Sequence, residues 1–191
     1  MKISMKILLM ALLISMSANA GLILQYSAGY HTSSDDADNG EYSSLKNQIF
    51  LGATFLKSHM MALGWNYMMN SRTLQGEGTD TASDLSVTEM GPRLFFFLNQ
   101  SKTFVLSANW NPFVSGDRTL TTVGTAEEVS GSSLHAALSV QAKVGNHFYI
   151  GGGLNYHSVS ISKSTVSGTE TEVSHGYTDI YPSIEFSYRF K

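Results

Sequence analysis

Residues 134–144, Leu-His-Ala-Ala-Leu-Ser-Val-Gln-Ala-Lys-Val, alternate between two kinds of side chain. Every even position holds Leu, Ala or Val, whereas His135, Ser139, Gln141 and Lys143 occupy odd positions. Successive side chains of a β-strand point to opposite faces. The period of two therefore predicts a strand with one apolar and one polar face.

Seven further segments alternate in the same way. The eight predicted strands lie within residues 22–30, 45–55, 61–69, 90–98, 104–110, 134–144, 148–156 and 180–190. An even number of strands leaves both termini at one end of the sheet. We predict an all-β fold, an eight-stranded antiparallel up-and-down transmembrane β-barrel.

Two kinds of connection alternate along the chain. Tight turns are predicted around Lys57-Ser58, Asn99–Lys102 and Gly145-Asn146. The other four connections are rich in Ser, Thr, Gly and Asp, show no apolar period and are predicted as long loops. These loops are Thr32–Ser43, Asn70–Asp84, Gly116–Gly131 and Ser162–His175. They hold twelve of the fifteen acidic residues, which predicts an acidic rim.

The placement of aromatic residues favours a membrane barrel. One set on the apolar face lies near the tight turns and a second set lies towards the long loops, as in the two aromatic girdles of a membrane barrel. The first set is Phe55, Phe96, Phe104, Phe148 and Phe190, and the second is Tyr30, Tyr67, Trp110 and Tyr156. Strands of about nine to eleven residues are long enough to cross a bilayer. A soluble periplasmic sandwich or lipocalin-like barrel is the alternative.

The N-terminus carries the features of an export signal. Lys2 and Lys6 precede the apolar run 7–16, and Ala18-Asn19-Ala20 places small residues before Gly21. We therefore predict a signal peptide at residues 1–20 and a barrel at residues 21–191. The chain of 191 residues has no cysteine, which excludes a disulfide scaffold, and its formal charge of −3 gives no reason to expect nucleic-acid binding.

The C-terminal segment Tyr181–Phe190 resembles the assembly signature of outer-membrane barrels, with alternating apolar residues, Tyr188 and a terminal aromatic. Lys191 follows that aromatic and departs from the usual pattern. The whole predicted barrel is similar to the small OmpA/OmpX-type barrels. This resemblance implies localisation in the bacterial outer membrane, contact with its lipids and lipopolysaccharide, and insertion by the outer-membrane assembly machinery. It does not imply one activity, because one fold carries many functions.

Charged residues on the polar faces predict a closed lumen. An eight-stranded barrel has an interior just wide enough for its side chains, and a buried ion without a partner costs several kcal/mol. We expect a network with Arg93 at its centre, between Glu185 at the same level and Glu89 above it. The predicted lumen charge network is Lys46, Glu89, Arg93, Lys143, Asp179, Glu185 and Arg189.

Other motifs carry little chemistry. The acidic run 35–41 resembles a calcium loop, but Ala37 and Lys46 stand at ligand positions, so a solvated loop is favoured over weak divalent-ion binding. His157 and Ser158 point to opposite strand faces, and His135 and Ser139 are about 13 Å apart along one strand. Neither pair predicts a catalytic dyad. We expect no cofactor and no metal site.

Three functions remain open. The first is a non-enzymatic structural or surface-interaction barrel that acts in envelope integrity or adhesion through its acidic loops. The second is a narrow channel for ions or small solutes, and the third is a lipid A or phospholipid-modifying enzyme. The sequence predicts a monomer and leaves any surface ligand unidentified.

Overall fold

The computed structural model describes residues 21–35, 40–55, 59–76, 83–120 and 125–190. The predicted signal peptide, most of the calcium-like run and the turn at Lys57-Ser58 lie outside these ranges. Among the described residues, no helix is long and apolar enough to span a membrane.

Eight strands form one closed barrel in the order β1 to β8, and each strand is antiparallel to its neighbours. Their bounds are β1 Leu22–Asp35, β2 Gly40–Phe55, β3 Met61–Gly76, β4 Ser83–Phe97, β5 Phe104–Leu120, β6 Thr125–Lys143, β7 Phe148–Val166 and β8 Thr169–Arg189. The predicted eight-stranded up-and-down barrel is confirmed.

The predicted apolar faces point away from the lumen. Leu138, Ile150 and Ile184 are 52%, 37% and 59% exposed, whereas their strand neighbours Ser139 and Glu185 are buried. We define the apolar band as the outward-facing residues of 22–30, 45–55, 61–69, 90–98, 104–113, 134–144, 148–156 and 180–190. The predicted tight turns after β4 and β6 lie at one end of this band.

The prediction of four long loops is largely wrong, because the strands continue through most of these segments. β3 extends to Gly76, β5 to Leu120 and β7 to Val166, beyond the apolar band. We call this part of the wall the distal section; it comprises 31–35, 40–44, 70–76, 83–89, 114–120, 125–133, 157–166 and 169–179. Its rim is uneven, since β8 rises far above the band and β1 stops soon after it.

The distal section was missed because its apolar side chains change face. Val87, Val114, Val129, Val159 and Ile161 point into the lumen and pack as one buried cluster. Most of their outward neighbours are Ser, Thr or charged residues, such as the exposed Ser160, Ser115 and Glu128. A search for outward apolar residues therefore finds no period, although the strand alternation continues.

A two-residue turn closes the tallest hairpin. Ser167 and Gly168 have φ values of 51° and 81° and connect β7 to β8. Two consecutive residues with positive φ are typical of the type I′ turn, whose twist matches that of the flanking strands. The predicted loop Ser162–His175 is therefore mostly a tight β-hairpin.

The seam between β1 and β8 is the shortest in the barrel. Its register runs from Ile23 paired with Arg189 to Gly29 paired with Ser183, and the next pair would join Tyr30 to Pro182. Pro182 has no N–H to donate. The amide of Phe190 donates to Leu22 of β1, whereas that of Arg189 donates to His147 on the β7 side. Even-numbered residues of this part of β8 thus face β1, and Pro182 interrupts that edge.

Candidate functional site: a filled lumen

The lumen is packed with polar and charged side chains at the level of the apolar band and where the band meets the distal section. Arg93, Lys46, Glu89 and Glu185 are each 2% exposed or less. Such groups are costly to bury unless hydrogen bonds or ion pairs compensate them. The candidate site is therefore described by the partner that each charge has.

Lys46 and Asp179 form a buried ion pair near the junction of the band and the distal section. Lys46 Nζ lies 2.5 Å from Asp179 Oδ2 and also donates to Ser44 Oγ at 2.7 Å. The same ammonium lies 4.7 Å from the centre of the Tyr181 ring. These contacts link β2 to β8 across the upper lumen. Both residues belong to the lumen charge network that the sequence predicts.

Glu89 pairs with a histidine. His157 Nε2 lies 2.9 Å from Glu89 Oε2, and the same carboxylate oxygen accepts from Ser133 Oγ and from Asn111 Nδ2. The expected contact with Arg93 is absent from the ion pairs of the described residues. Residue counting gave the approximate depth of Glu89 but not which wall of the barrel its side chain approaches.

Arg93 is buried at the centre, but its direct partners are neutral. It donates to Gln48 Oε1 at 2.6 Å and to Ser107 Oγ at 2.9 Å, and its guanidinium carbon lies 4.6 Å from the centre of the Phe95 ring. Within the described ranges it makes no ion pair with Glu185. The expectation that Arg93 is held directly by Glu185 and Glu89 is therefore wrong.

Glu185 accepts its hydrogen bonds from a strand other than the expected β4. Its two carboxylate oxygens accept from Ser139 Oγ at 2.7 Å and from Gln141 Nε2 at 2.6 Å. Both donors belong to β6. These nearby donors satisfy Glu185 without a contact across the lumen to β4.

Arg189 and Lys143 have different surroundings at the short-turn end. Arg189 donates to Gln141 and to the carbonyl of Lys102, and its guanidinium carbon lies 3.8 Å from the centre of the Tyr149 ring. Lys143, in contrast, is exposed. Its place in the lumen network is a correction: its side chain follows the inward parity of β6, but the strand ends at this residue.

A stack of cation and aromatic rings lies in the distal section and was missed from the sequence. The guanidinium carbon of Arg72 lies 4.1 Å from the centre of the Tyr42 ring and 4.2 Å from that of Tyr177. Asn70 Nδ2 donates to the Tyr177 hydroxyl at 2.6 Å. These contacts join β2, β3 and β8. The signal was present in the inward parity of Tyr42 and Arg72, but the segment had been assigned to a loop.

A second missed element is an apolar cluster at the short-turn end of the lumen. It consists of the inward-facing Ile23, Phe50, Ala62, Phe95, Phe97 and Val105. The Phe50 and Phe95 ring centroids are 4.4 Å apart. Buried aromatic rings fill space that water or ions would otherwise occupy. The alternation had assigned every large apolar residue to the lipid side.

Two glycines make room for the lumen side chains. A Cβ at Gly29 would lie 2.5 Å from the Tyr181 ring, and one at Gly153 would lie 2.9 Å from Ser139 Oγ and 3.0 Å from Glu185 Oε1. The distances to the Tyr181 ring and to Ser139 Oγ are shorter than Cβ contacts allow, and the distance to Glu185 Oε1 is at the limit. A side chain at either position would therefore displace a lumen residue.

The candidate catalytic pairs do not meet as dyads. His157 is fully buried beside Glu89, whereas Ser158 accepts from Thr178 on the outer surface. His135 contacts Asn109 and Asn155, while Ser139 donates to Glu185. No cluster of His, Cys, Asp and Glu suited to a metal ion occurs in the described part of the chain.

A closed antiparallel barrel with an apolar exterior and a polar interior is the architecture of outer-membrane β-barrels, because closure satisfies every backbone donor within the membrane. The protein therefore belongs to this structural class and is located in the bacterial outer membrane.

No protein-family model matches the chain, and no curated protein matches it. The barrel is similar to the crystal structure of Neisserial surface protein A, with 12% identity over 90% of this chain and 99% of that chain and a TM-score of 0.48. It is also similar to the β-domain of the Bordetella autotransporter BrkA, with 10% identity over 90% and 98% of the two chains and a TM-score of 0.44. An outer-membrane channel from Pseudomonas putida F1 shows 10% identity over 90% and 95%, with a TM-score of 0.30.

Proposed function

We propose that the protein is a closed, non-conducting barrel that presents its distal section outside the cell in a structural or surface-interaction role. The observation that carries this proposal is the filled lumen. The ion pair Lys46–Asp179, the bonded Arg93 and the Phe50–Phe95 cluster lie at successive depths, and their members are almost inaccessible to solvent. A barrel of this size has little interior volume left for a solute path.

The electrical test uses purified protein in planar bilayers. We expect no sustained conductance from the native barrel. We expect little from Glu185→Gln, because Glu185 bonds only to the neighbouring Ser139 and Gln141 and the other buried side chains still fill the lumen. Stable, ion-selective openings that change on Arg93→Gln substitution would contradict the closed barrel. The purified sample is compared with an equal amount of heat-denatured protein.

A narrow channel is the second candidate, and one observation favours it. Both amide atoms of the buried Gln25 lack hydrogen-bond partners, as do Gln48 Nε2, Arg93 Nε and Arg189 Nε. Buried polar atoms normally have partners. Exchange of partners among these side chains would give a gate, so the conductance measurement separates the two candidates.

The orientation places the distal section outside and the short-turn end in the periplasm. The chain has no cysteine, so single-cysteine labelling is unambiguous. On intact cells, an impermeant maleimide should label Thr169→Cys at the tall hairpin and leave Asn146→Cys unlabelled. Labelling of Asn146→Cys alone would show that the barrel is inverted.

The proposed partners follow from this location. The apolar band contacts outer-membrane lipids and lipopolysaccharide, and β8 ends in the segment that resembles the signal read by the assembly machinery. Truncation of Phe190 and Lys191 should reduce insertion into the outer membrane, measured by fractionation and heat-modifiable gel mobility. An unchanged amount of inserted protein would contradict this role of the C-terminus.

A further inference from the structure

We propose that the short-turn end of the barrel binds the headgroups of anionic phospholipids in the periplasmic leaflet through its lysines. The inference rests on the proposed function only for the choice of leaflet, because the short-turn end must face the periplasm. It names the class of lipid that this end of the barrel prefers and the side chains that select it.

The first observation is that the short-turn end carries cationic residues in a sequence without acidic ones. Lys102 lies in the turn after β4, Lys143 is the last residue of β6, and Arg189 is the last residue of β8. Beyond residue 20, the longest segments without aspartate or glutamate are 21–34, 42–76, 90–116, 129–169 and 186–191. These segments contain the short-turn ends of all eight strands. The end is therefore uniformly cationic in sequence.

The second observation is the position of these lysines beside lipid-facing residues. Lys143 is exposed and is followed directly by the exposed Val144. The exposed Leu98 begins the turn that contains Lys102, and the exposed Phe104 follows that turn. Lysine can lay its alkyl chain along apolar surface while its ammonium stays in a polar layer. The lysines therefore lie at the boundary between hydrocarbon and headgroups.

The third observation is that the turns at this end are short and firmly bonded. The two described turns are 98–103 and 144–147. In the first, the amides of Thr103 and Phe104 donate to Asn99 Oδ1 at 2.8 and 3.1 Å. Turns of this length stay within the headgroup layer and do not reach far into the periplasm. Lipid phosphates are therefore the anionic groups nearest to the lysines of these turns.

The distal section has the opposite charge on its outer face. Asp84, Asp117 and Glu128 are exposed there, and Asp117 is the register partner of Glu128. Adjacent carboxylates repel phosphates. The strand β6 thus carries a carboxylate beyond one surface of the membrane and ends in a lysine at the other. Anionic lipids are expected to gather at the short-turn end and not around the distal section.

A lipid leaflet fits this end better than a dissolved anion does. A leaflet holds many phosphates at one depth, so lysines on different turns can all approach phosphates at the same time. Each lysine close to an anionic surface strengthens association about fivefold. A single dissolved phosphate can contact only one or two of them. The distribution of the cations around one rim therefore favours the leaflet.

The main test measures lipid selectivity by electron paramagnetic resonance. The barrel is reconstituted in phosphatidylcholine with a trace of spin-labelled phosphatidylglycerol or spin-labelled phosphatidylcholine, and the two association constants are compared. We expect phosphatidylglycerol to be preferred about threefold to fivefold at low salt, and the preference to disappear in about 1 M salt because the charges are screened. Equal association of both lipids with the native barrel at low salt would overturn the proposal.

Matched variants assign the preference to the short-turn lysines. Lys102→Gln/Lys143→Gln should lower the preference about twofold or more, whereas arginine at both positions should retain it because the charge is kept. Lys163→Gln removes one charge from the distal section and should leave the preference unchanged. A preference that survives the double glutamine variant, or that falls equally in Lys163→Gln, would overturn the proposal.

A second measurement locates the lipid. In NMR spectra of the barrel in nanodiscs, replacing phosphatidylcholine by phosphatidylglycerol should shift the amide resonances of Gly145 and Asn146, which lie beside Lys143. The resonances of Ser167 and Gly168 at the tall hairpin should stay unchanged. Equal shifts at both ends would overturn the proposal. Glycerol phosphate in solution, at the same total phosphate concentration, should not shift Gly145; an equal shift would show a site for free phosphate and would also overturn it.

Failure of these tests is distinguishable from failure of the proposed function. The bilayers have the same lipids on both sides, so the preference is measured whichever way the barrel is inserted. A barrel that is non-conducting and labelled at Thr169→Cys, yet shows no lipid preference, would retain the surface role and lose this inference. A conducting barrel would lose the proposed function, whereas the lipid preference would stand.

Discussion

The apolar band and the distal section are parts of the same eight strands, yet they are organised in opposite ways. In the band, Leu138 and Ile184 face outward while Ser139 and Glu185 are buried. In the distal section, Val159 and Ile161 face inward while Ser160 is exposed. The outer face of the barrel contacts lipid hydrocarbon in the band and water in the distal section. Apolar side chains therefore lie on the outside of the band and on the inside of the distal section.

The largest effect is expected where the two sections meet, at the Lys46–Asp179 pair. Asp179→Asn leaves the ammonium of Lys46 without its counter-charge and should lower the free energy of unfolding by about 3–5 kcal/mol. The double variant Lys46→Met/Asp179→Leu removes both charges and should recover most of that loss. Urea unfolding in lipid or detergent provides the measurement, and a double variant as unstable as the single one would show that the pair is not the cause.

An arginine substitution on the outer face of each section tests whether that face contacts lipid or water. Leu138→Arg puts the charge into the lipid-facing band and should cost roughly 2–4 kcal/mol of folding free energy. Ser160→Arg puts the same side chain on the outer face of the distal section and should leave stability almost unchanged. Equal sensitivity at the two positions, again measured by urea unfolding, would refute the boundary between the sections.

A smaller change probes the inward apolar cluster. Ile161→Val should destabilise by about 0.5–1.5 kcal/mol because a buried methylene is removed. The effect should be local: amides of distal β7 should exchange faster, whereas those near Gly151 and Leu154 in the band should not change. Uniformly faster exchange along β7 would mean that the two sections unfold as one unit.

The smallest effect is expected at the exposed pair of the tall hairpin. The hydrogen bond from Lys163 to Glu170, with the nearby carboxylate charge, raises the pKa of the Lys163 ammonium above its usual 10.5. The raised pKa means that any stabilisation is present below the unfolded pKa and lost as pH rises through the folded value. Glu170→Gln should lower the Lys163 pKa in an NMR titration and leave the unfolding midpoint unchanged. An unchanged Lys163 pKa would show that the pair does not persist in solution.

The band could be predicted from the sequence because lipid imposes a strict alternation. Every predicted strand was found with its apolar face outward, as Leu63, Leu106 and Ile150 illustrate. The distal strands were missed because their apolar residues are inward and sparser, and because serine and threonine are common in both loops and strands. Glycine and acidic residues in these segments added to the signal of a loop.

The lumen was only partly predictable. Parity along a strand identifies that Arg93, Glu89 and Asp179 point inward, and residue counting gives their depth. Neither parity nor residue counting gives the direction in which each side chain points around the barrel axis. That direction determines that Glu89 contacts His157 and that Arg93 contacts Gln48. It also cannot show that Lys143, with inward parity, lies at the end of the wall in solvent.

The short seam between β1 and β8 has a consequence for the order of folding. Every other strand pair joins neighbours in the chain and can form as a local hairpin, whereas Ile23 pairs with Arg189 only after both ends of the chain have come together. Contacts between distant residues carry the largest loop-closure entropy and form slowly. Because the β1–β8 pairing ends below Pro182, this seam also forms fewer backbone hydrogen bonds than any other pair of neighbouring strands. Fewer hydrogen bonds therefore offset the entropy lost when its two strands come together. We therefore expect the pairing of β1 with β8 to be the last step of barrel assembly. We expect the same pairing to break first when the barrel unfolds.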